Sequence, residues 1–145
     1  MSSIDLTGEE ALIARLSALP DKVRHAVIDT AIRRSNDRAM VLLKDKAPVR
    51  SGESGGALKR SLMNAVRNYH RKTIAFGITG VDYHHIEYDK RGQTIRPAKY
   101  LHLVELGTTK NPGGIAGLHF VSASQNQVNA EVLDIFIEEI NKALQ

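Results

Sequence analysis

Between Ala98 and Ala123 the chain reads AKYLHLVELGTTKNPGGIAGLHFVSA, an apolar run that stops at Gly107 and resumes only at Leu118. Any fold of this chain must therefore bury a segment on each side of a glycine-rich break. Tyr100, Leu101, Leu103, Val104 and Leu106 form a run short for a globular helix and apolar enough for a buried strand, with Gly107 supplying the permissive backbone that ends it. Within the break, Asn111-Pro112-Gly113-Gly114 places Pro at the second position of a turn and Gly at the third, where type II geometry needs a positive φ. Gly117 adds a further hinge, and the whole predicts a long surface excursion from Gly107 to Leu118 that packs against something outside its own domain. The loop matches neither GxxxxGK[ST] nor GxGxxG, so no phosphate-cradling or cofactor motif is read from it.

Helical patterns bracket this region. Thr7 and Glu10 have the spacing of a capping box, and Leu12, Ile13, Leu16 and Leu19 follow at helical intervals until Pro20. From Asp21 to about Lys46, Val27, Ile28, Ala31, Ile32, Ser35, Ala39, Leu42 and Leu43 descend one side in three- and four-residue steps, which predicts the long helix of the fold. A terminal helix is marked by Val128, Val132, Ile135, Phe136, Ile140 and Leu144, with Ser122 and Ser124, each three residues before a Gln, as candidate caps.

The middle of the chain is less regular. Residues 47–57 form a flexible arm containing Pro48 and three glycines, Gly52, Gly55 and Gly56. Ala57 to Leu62 reads as one helical turn feeding a strand over about 61–68, with a reversal near Tyr69 to Lys72. The next strand, Thr73 to Thr79, carries Ile74, Phe76 and Ile78 on one side at period two, so the pair is an antiparallel hairpin. Gly80 to Ala98 is polar and reads as a loop or hairpin tip. The order α, α, β, β, β, α predicts a single α+β domain over residues 1–145, with a long N-terminal helix and a C-terminal helix packed on a small, mainly antiparallel sheet and long glycine-rich loops.

At 145 residues the chain can bury a core without staples, and it has no Cys for disulfides or thiolate-ligated zinc. No apolar run is as long as a membrane span, and the N-terminus lacks the pattern of a signal peptide, so a cytoplasmic site of synthesis is expected. Charge is uneven: residues 44–110 hold 13 Lys and Arg against 6 Asp and Glu, whereas residues 1–43 balance at 6 against 6. Lys90, Arg91, Arg96 and Lys99 are the candidates for facing an acidic partner or DNA.

The side chains suited to catalysis fall into no diagnostic spacing. His84, His85 and Glu87 cluster, and His102, Glu105 and His119 flank the break, but HExxH and the other metal-binding histidine patterns are missing. On a strand, His102 and Glu105 would point to opposite sides. The GxSxG elbow is absent, Ser51 and Ser54 read as turn residues, and Glu105, beside a tight turn, is expected to accept backbone N–H bonds there. No catalytic residue, metal ligand or cofactor is assigned.

Three pieces, taken in order, resemble a known family: Ala47-Pro48-Val49-Arg50-Ser51-Gly52 with Gly56-Ala57-Leu58-Lys59-Arg60-Ser61-Leu62; Tyr100 with Val104-Glu105-Leu106-Gly107-Thr108; and His119-Phe120-Val121-Ser122-Ala123 ahead of the last helix. Over roughly residues 20–144 the chain is similar to the small head–tail junction proteins of long-tailed bacteriophages, the minor tail-component family of neck and tail-completion proteins. Glu53-Ser54-Gly55 lengthens the family's arm, and His-Phe-Val stands where the family has Pro-Phe-Leu.

The resemblance implies a non-enzymatic virion protein, assembled in the host cytoplasm, that forms a homo-oligomeric ring at the head–tail interface. Its partners would be neck, head-closure and tail-tube proteins and, non-specifically, the genomic DNA in the channel, with no membrane. The interface candidates are Pro48, Arg50, Ser51, Gly52, Gly55, Gly56, Glu105, Gly107, Thr108, Pro112, Gly113, Gly114, Gly117 and Phe120. A tail terminator ring is the alternative within structural proteins, and a DNA-binding protein or an enzyme is the alternative outside them.

Overall fold

The computed structural model describes residues 9–49, 56–69, 74–108 and 114–145. The expected α+β architecture is present: two long helices, a small antiparallel hairpin and shorter elements that close one end. Helix α1 (Glu9–Ser17) ends before Pro20, whose extended backbone forms the N-cap of α2 (Asp21–Lys46) and whose carbonyl accepts the Arg24 N–H at 2.9 Å. The long helix stops at Ala47, which is extended because the following Pro48 disfavours the helical region. Thr7, the expected cap of α1, lies outside the described residues.

Helix α5 (Phe120–Ala143) runs antiparallel to α2, as their side-chain pairs show. Lys46 donates to Gln127 at 3.1 Å, Arg38 grips Glu131 through two nitrogens at 2.6 and 3.0 Å, and Arg34 reaches Glu138 and Glu139. Rising numbers on one helix meet falling numbers on the other. The arginines of these pairs stay 40% exposed, so solvent screens the pairs and they fix register more than they add stability. Stability comes from two apolar clusters. Leu43, Ala47, Leu58, Leu62 and Phe120 form one, with Tyr100, Leu101 and Val104 against it; Leu19, Val27 and Ile140 form the other, with Leu12 and Leu16 from α1. Burying Phe120, 3% exposed, contributes roughly 1.5–3 kcal/mol.

The hairpin, β1 (Leu62–Tyr69) and β2 (Ile74–Val81), lies across α2 in an antiparallel register that places Val66 opposite Gly77 and Arg67 opposite Phe76. The short helix α3 (Ala57–Arg60) leads into it. Amides select which face meets the helix: Asn64 donates to Asp37 at 2.8 Å, Asn68 to Asp29 at 3.3 Å, and Asn36 donates from α2 to the Ala65 carbonyl at 2.9 Å. Phe76 and Ile78 of the period-two apolar set therefore face outward, each about half exposed.

The polar stretch after β2, expected as a loop or hairpin tip, holds a short antiparallel ribbon, β3 (Glu87–Tyr88) with β4 (Thr94–Ile95). One expectation is corrected: the supposed third strand of the sheet is helix α4 (Pro97–Leu106). Pro97 starts that helix, and Tyr100, Leu101 and Val104 reach the core because they share one helical face. Beyond Gly107, at φ 77°, a second ribbon pairs β5 (Gly107–Thr108) with β6 (Ile115–Ala116).

Candidate assembly surface

The end of α4 and the start of α5 are locked together by Glu105. Returning from the ribbon, the chain donates Leu118 N–H to the Val104 carbonyl at 2.9 Å and His119 N–H to the Glu105 carbonyl at 3.1 Å, satisfying acceptors that a helix C-terminus leaves free. The Glu105 carboxylate then accepts the Val121 and Ser122 N–H groups at 2.9 and 3.0 Å and the Ser122 hydroxyl at 2.7 Å. It does what an N-cap side chain does, from another helix. Burial would raise its pKa, but those three bonds to the charged form outweigh burial and hold it below the usual carboxylate range. The expected caps do otherwise: Ser122 bonds Glu105, and Ser124 donates to the Phe120 carbonyl at 2.7 Å within α5.

Around this junction lies a groove of about 720 Å³. Pro48, Val49 and Gly56, the roots of the arm, border it together with Leu58, and Tyr100, Leu103 and Val104 of α4 form a second side. Ala116 and Leu118 close it from the β5–β6 ribbon, and Asp89 and Ile95 from the β3–β4 ribbon. Its rim is apolar and open, with Val49 60%, Leu118 57% and Leu103 43% exposed. The described ends of the two glycine-bearing segments thus meet on one surface.

Of the interface candidates, Pro48 and Gly56 border the groove, Thr108 pairs with Ile115 beside it, and Gly114 sits at φ 49° at the foot of β6. Arg50, Ser51, Gly52, Gly55, Pro112 and Gly113 lie outside the described residues. Within the chain Phe120 belongs to the core, Glu105 spends both oxygens on α5, and Gly117 packs against the backbone of Glu105 to Gly107, so the base of this loop is supported by its own domain. Val49, Leu103, Ile95 and Leu118, absent from the interface candidates, are the apolar positions of the groove. A helical reading of residues 97–106 would have put Leu103 on the open side.

The basic candidates gather at the β3–β4 ribbon. Asp89 holds its turn, accepting the Arg91 and Gln93 N–H groups at 2.8 Å each, and this presents Lys90 and Arg91 to solvent. Arg96 caps the start of α4 and Lys99 lies in its first turn, both exposed. The ribbon is tied down by Arg60, whose guanidinium bonds Glu87 at 2.9 and 2.6 Å, while His85 meets the same carboxylate at 2.8 Å. Arg60, and then His85, lower the Glu87 pKa to about 2 against the opposing effect of burial.

On a helix His102 and Glu105 are neighbours in space, contrary to the strand expectation, but among the described residues no three His, Asp or Glu side chains gather as a metal site would require. No described helix is long and apolar enough to cross a membrane. No family model, curated protein or solved structure matches the chain.

Proposed function

We propose that this chain is a structural subunit of a long-tailed phage virion, a neck or tail-completion protein that forms a ring at the head–tail interface and continues the DNA channel. The observation that carries this reading is the convergence of the arm roots and the β5–β6 ribbon on one open apolar groove. A monomer rarely leaves such a surface uncovered, and a subunit that joins identical neighbours head to tail needs one. The motif order shared with the head–tail junction family supports the same role. The partners are then copies of this chain, followed by the adjoining neck, head-closure and tail-tube proteins. The basic ribbon beside the groove suits an acidic partner ring or DNA in the channel.

The test replaces Leu103 and Leu118 by Asp together. Both side chains are largely exposed, so the monomer should fold, as judged by circular dichroism. Negative-stain images should show rings from the parent protein and none from the variant, and the variant should fail to join heads to tails. Normal rings and normal joining by a folded variant would overturn the proposal.

A further inference from the structure

A second groove, sharing no lining residue with the first, runs between the hairpin and α5 over α2 and encloses about 420 Å³. Its floor and far wall are mainly apolar, made by Ile32 and Ala39 of α2 and Val128, Val132 and Phe136 of α5, with uncharged polar residues such as Ser35 and Gln125 among them. None of its lining residues is ionisable, in a chain of which 25% is charged.

The near wall is the edge of a strand. The groove is bordered by Gly77 and Thr79 of β2 and by nothing from β1, whereas a smaller cleft is bordered by Asn64, Ala65 and Val66 of β1 and by nothing from β2. So the edge of β2 that faces away from β1 is the one that opens on the apolar groove. Among the described residues β1 is the sole strand paired with β2. In an antiparallel pair alternate residues direct their N–H and C=O groups away from the partner, so the Gly77 to Thr79 part of this edge presents backbone donors and acceptors to the groove. The Thr79 hydroxyl oxygen is buried beside it and has no hydrogen-bond partner among the described residues.

We propose that this groove receives an extended, uncharged segment of a partner protein, which adds to the free edge of β2 as a third strand. The row of edge amides and carbonyls calls for another peptide backbone rather than a lipid or a compact ligand. The uncharged lining calls for apolar side chains at alternate positions, laid on α2 and α5 as the strand period requires. A peptide lying between a strand edge and a helix is an established way of gaining affinity from the main chain and selectivity from alternate side chains. The inference goes beyond the junction reading, uses different residues and stands without it.

The test uses the full-length isotope-labelled chain and a capped heptapeptide of alternating threonine and valine or isoleucine, followed through the backbone amide signals of Gly77 and Thr79. Saturable shifts at both residues are expected below about 1 mM. Two further peptides carry N-methyl groups on one or the other alternate set of residues. One set should weaken binding by about tenfold or more and the other leave it nearly unchanged, because only every second amide faces β2. The Val132→Glu variant should lose binding while keeping its helical spectrum; if it unfolds, Val128→Glu, in the same wall, should lose binding instead. Absence of saturable shifts at Gly77 and Thr79, or equal binding of both methylated peptides, would overturn strand addition; the second result would make the groove a site for apolar molecules in general.

Discussion

The Oδ1 atom of Asn36 occupies the place where a side chain at Gly77 would begin: a Cβ there would lie 2.2 Å from it. Asn36 is 8% exposed, and its amide nitrogen is already donated to the Ala65 carbonyl across the hairpin, so it cannot swing aside without leaving a polar group unsatisfied. The long helix and the sheet approach this closely because β2 is bare at that point.

Gly77→Ala should therefore destabilise the protein by about 1–3 kcal/mol, the usual cost of forcing an extra carbon into a packed site. The backbone angle is not at issue, since Gly77 has no positive φ. In urea denaturation the double variant Asn36→Ala, Gly77→Ala should lose less than the sum of the two single losses, because removing the amide makes room for the methyl. Strict additivity would show that the two residues do not compete for the same space.

Acid should loosen the β3–β4 ribbon before the rest of the fold. The Glu87 pKa is lowered in the folded protein to about 2 from an ordinary 4.5, so its contribution is present above pH 4.5 and is lost as pH falls toward 2. Arg60→Gln removes the larger cause of that shift. The Glu87 titration, followed by its side-chain carboxyl signal, should then move up toward its ordinary value, and the Tyr88 and Tyr100 signals should change at a higher pH than in the parent. An unmoved Glu87 titration would mean that Arg60 does not hold this carboxylate in solution.

The exposed basic side chains of the ribbon and of the α4 start should govern affinity for nucleic acid without governing the fold. Replacing Lys90, Arg91 and Arg96 by Glu leaves the core untouched. If the three contact phosphates, the slope of log affinity against log salt for duplex DNA should fall by about 0.9 for each contact removed. Phage carrying the triple variant should fail in joining or lose genome. Unchanged salt dependence and infectivity would remove DNA and any acidic partner from this surface.

The long elements were legible because their periodicity is strong: the stripe from Val27 to Leu43 and the spacing of Val128, Val132, Phe136 and Ile140 each specify a helix over many turns. The run from Tyr100 to Leu106 reads as a strand because five apolar side chains in seven positions satisfy either period. The deciding signal was Pro97, which begins a helix well, together with the four-residue step from Tyr100 to Val104. The apolar alternation of β2 was legible but its direction was not, since the inner face is chosen by amide hydrogen bonds between α2 and β1 whose partners lie 27 to 39 residues apart in sequence. Likewise Glu105 reads correctly as an acceptor of backbone N–H groups, but which helix it serves depends on the path of the ribbon between them.

That service gives the sharpest substitution test. Among the described residues three donors face the Glu105 carboxylate: two backbone N–H groups of α5 and the Ser122 hydroxyl. Both carboxylate oxygens are used, Oε2 by Val121 and Oε1 by Ser122. Glutamine has the same shape but only one oxygen, and its amino group would turn its own hydrogens toward an N–H or a hydroxyl. Glu105→Gln should therefore cost nearly as much as Glu105→Ala, about 1 kcal/mol for the lost cap in either case, where an exposed Glu to Gln change is close to neutral. The loss should appear first as faster amide exchange at Val121 and Ser122, because the start of α5 is what the carboxylate holds. Full retention of protection by the Gln variant would show that the helix is capped by something other than this charge.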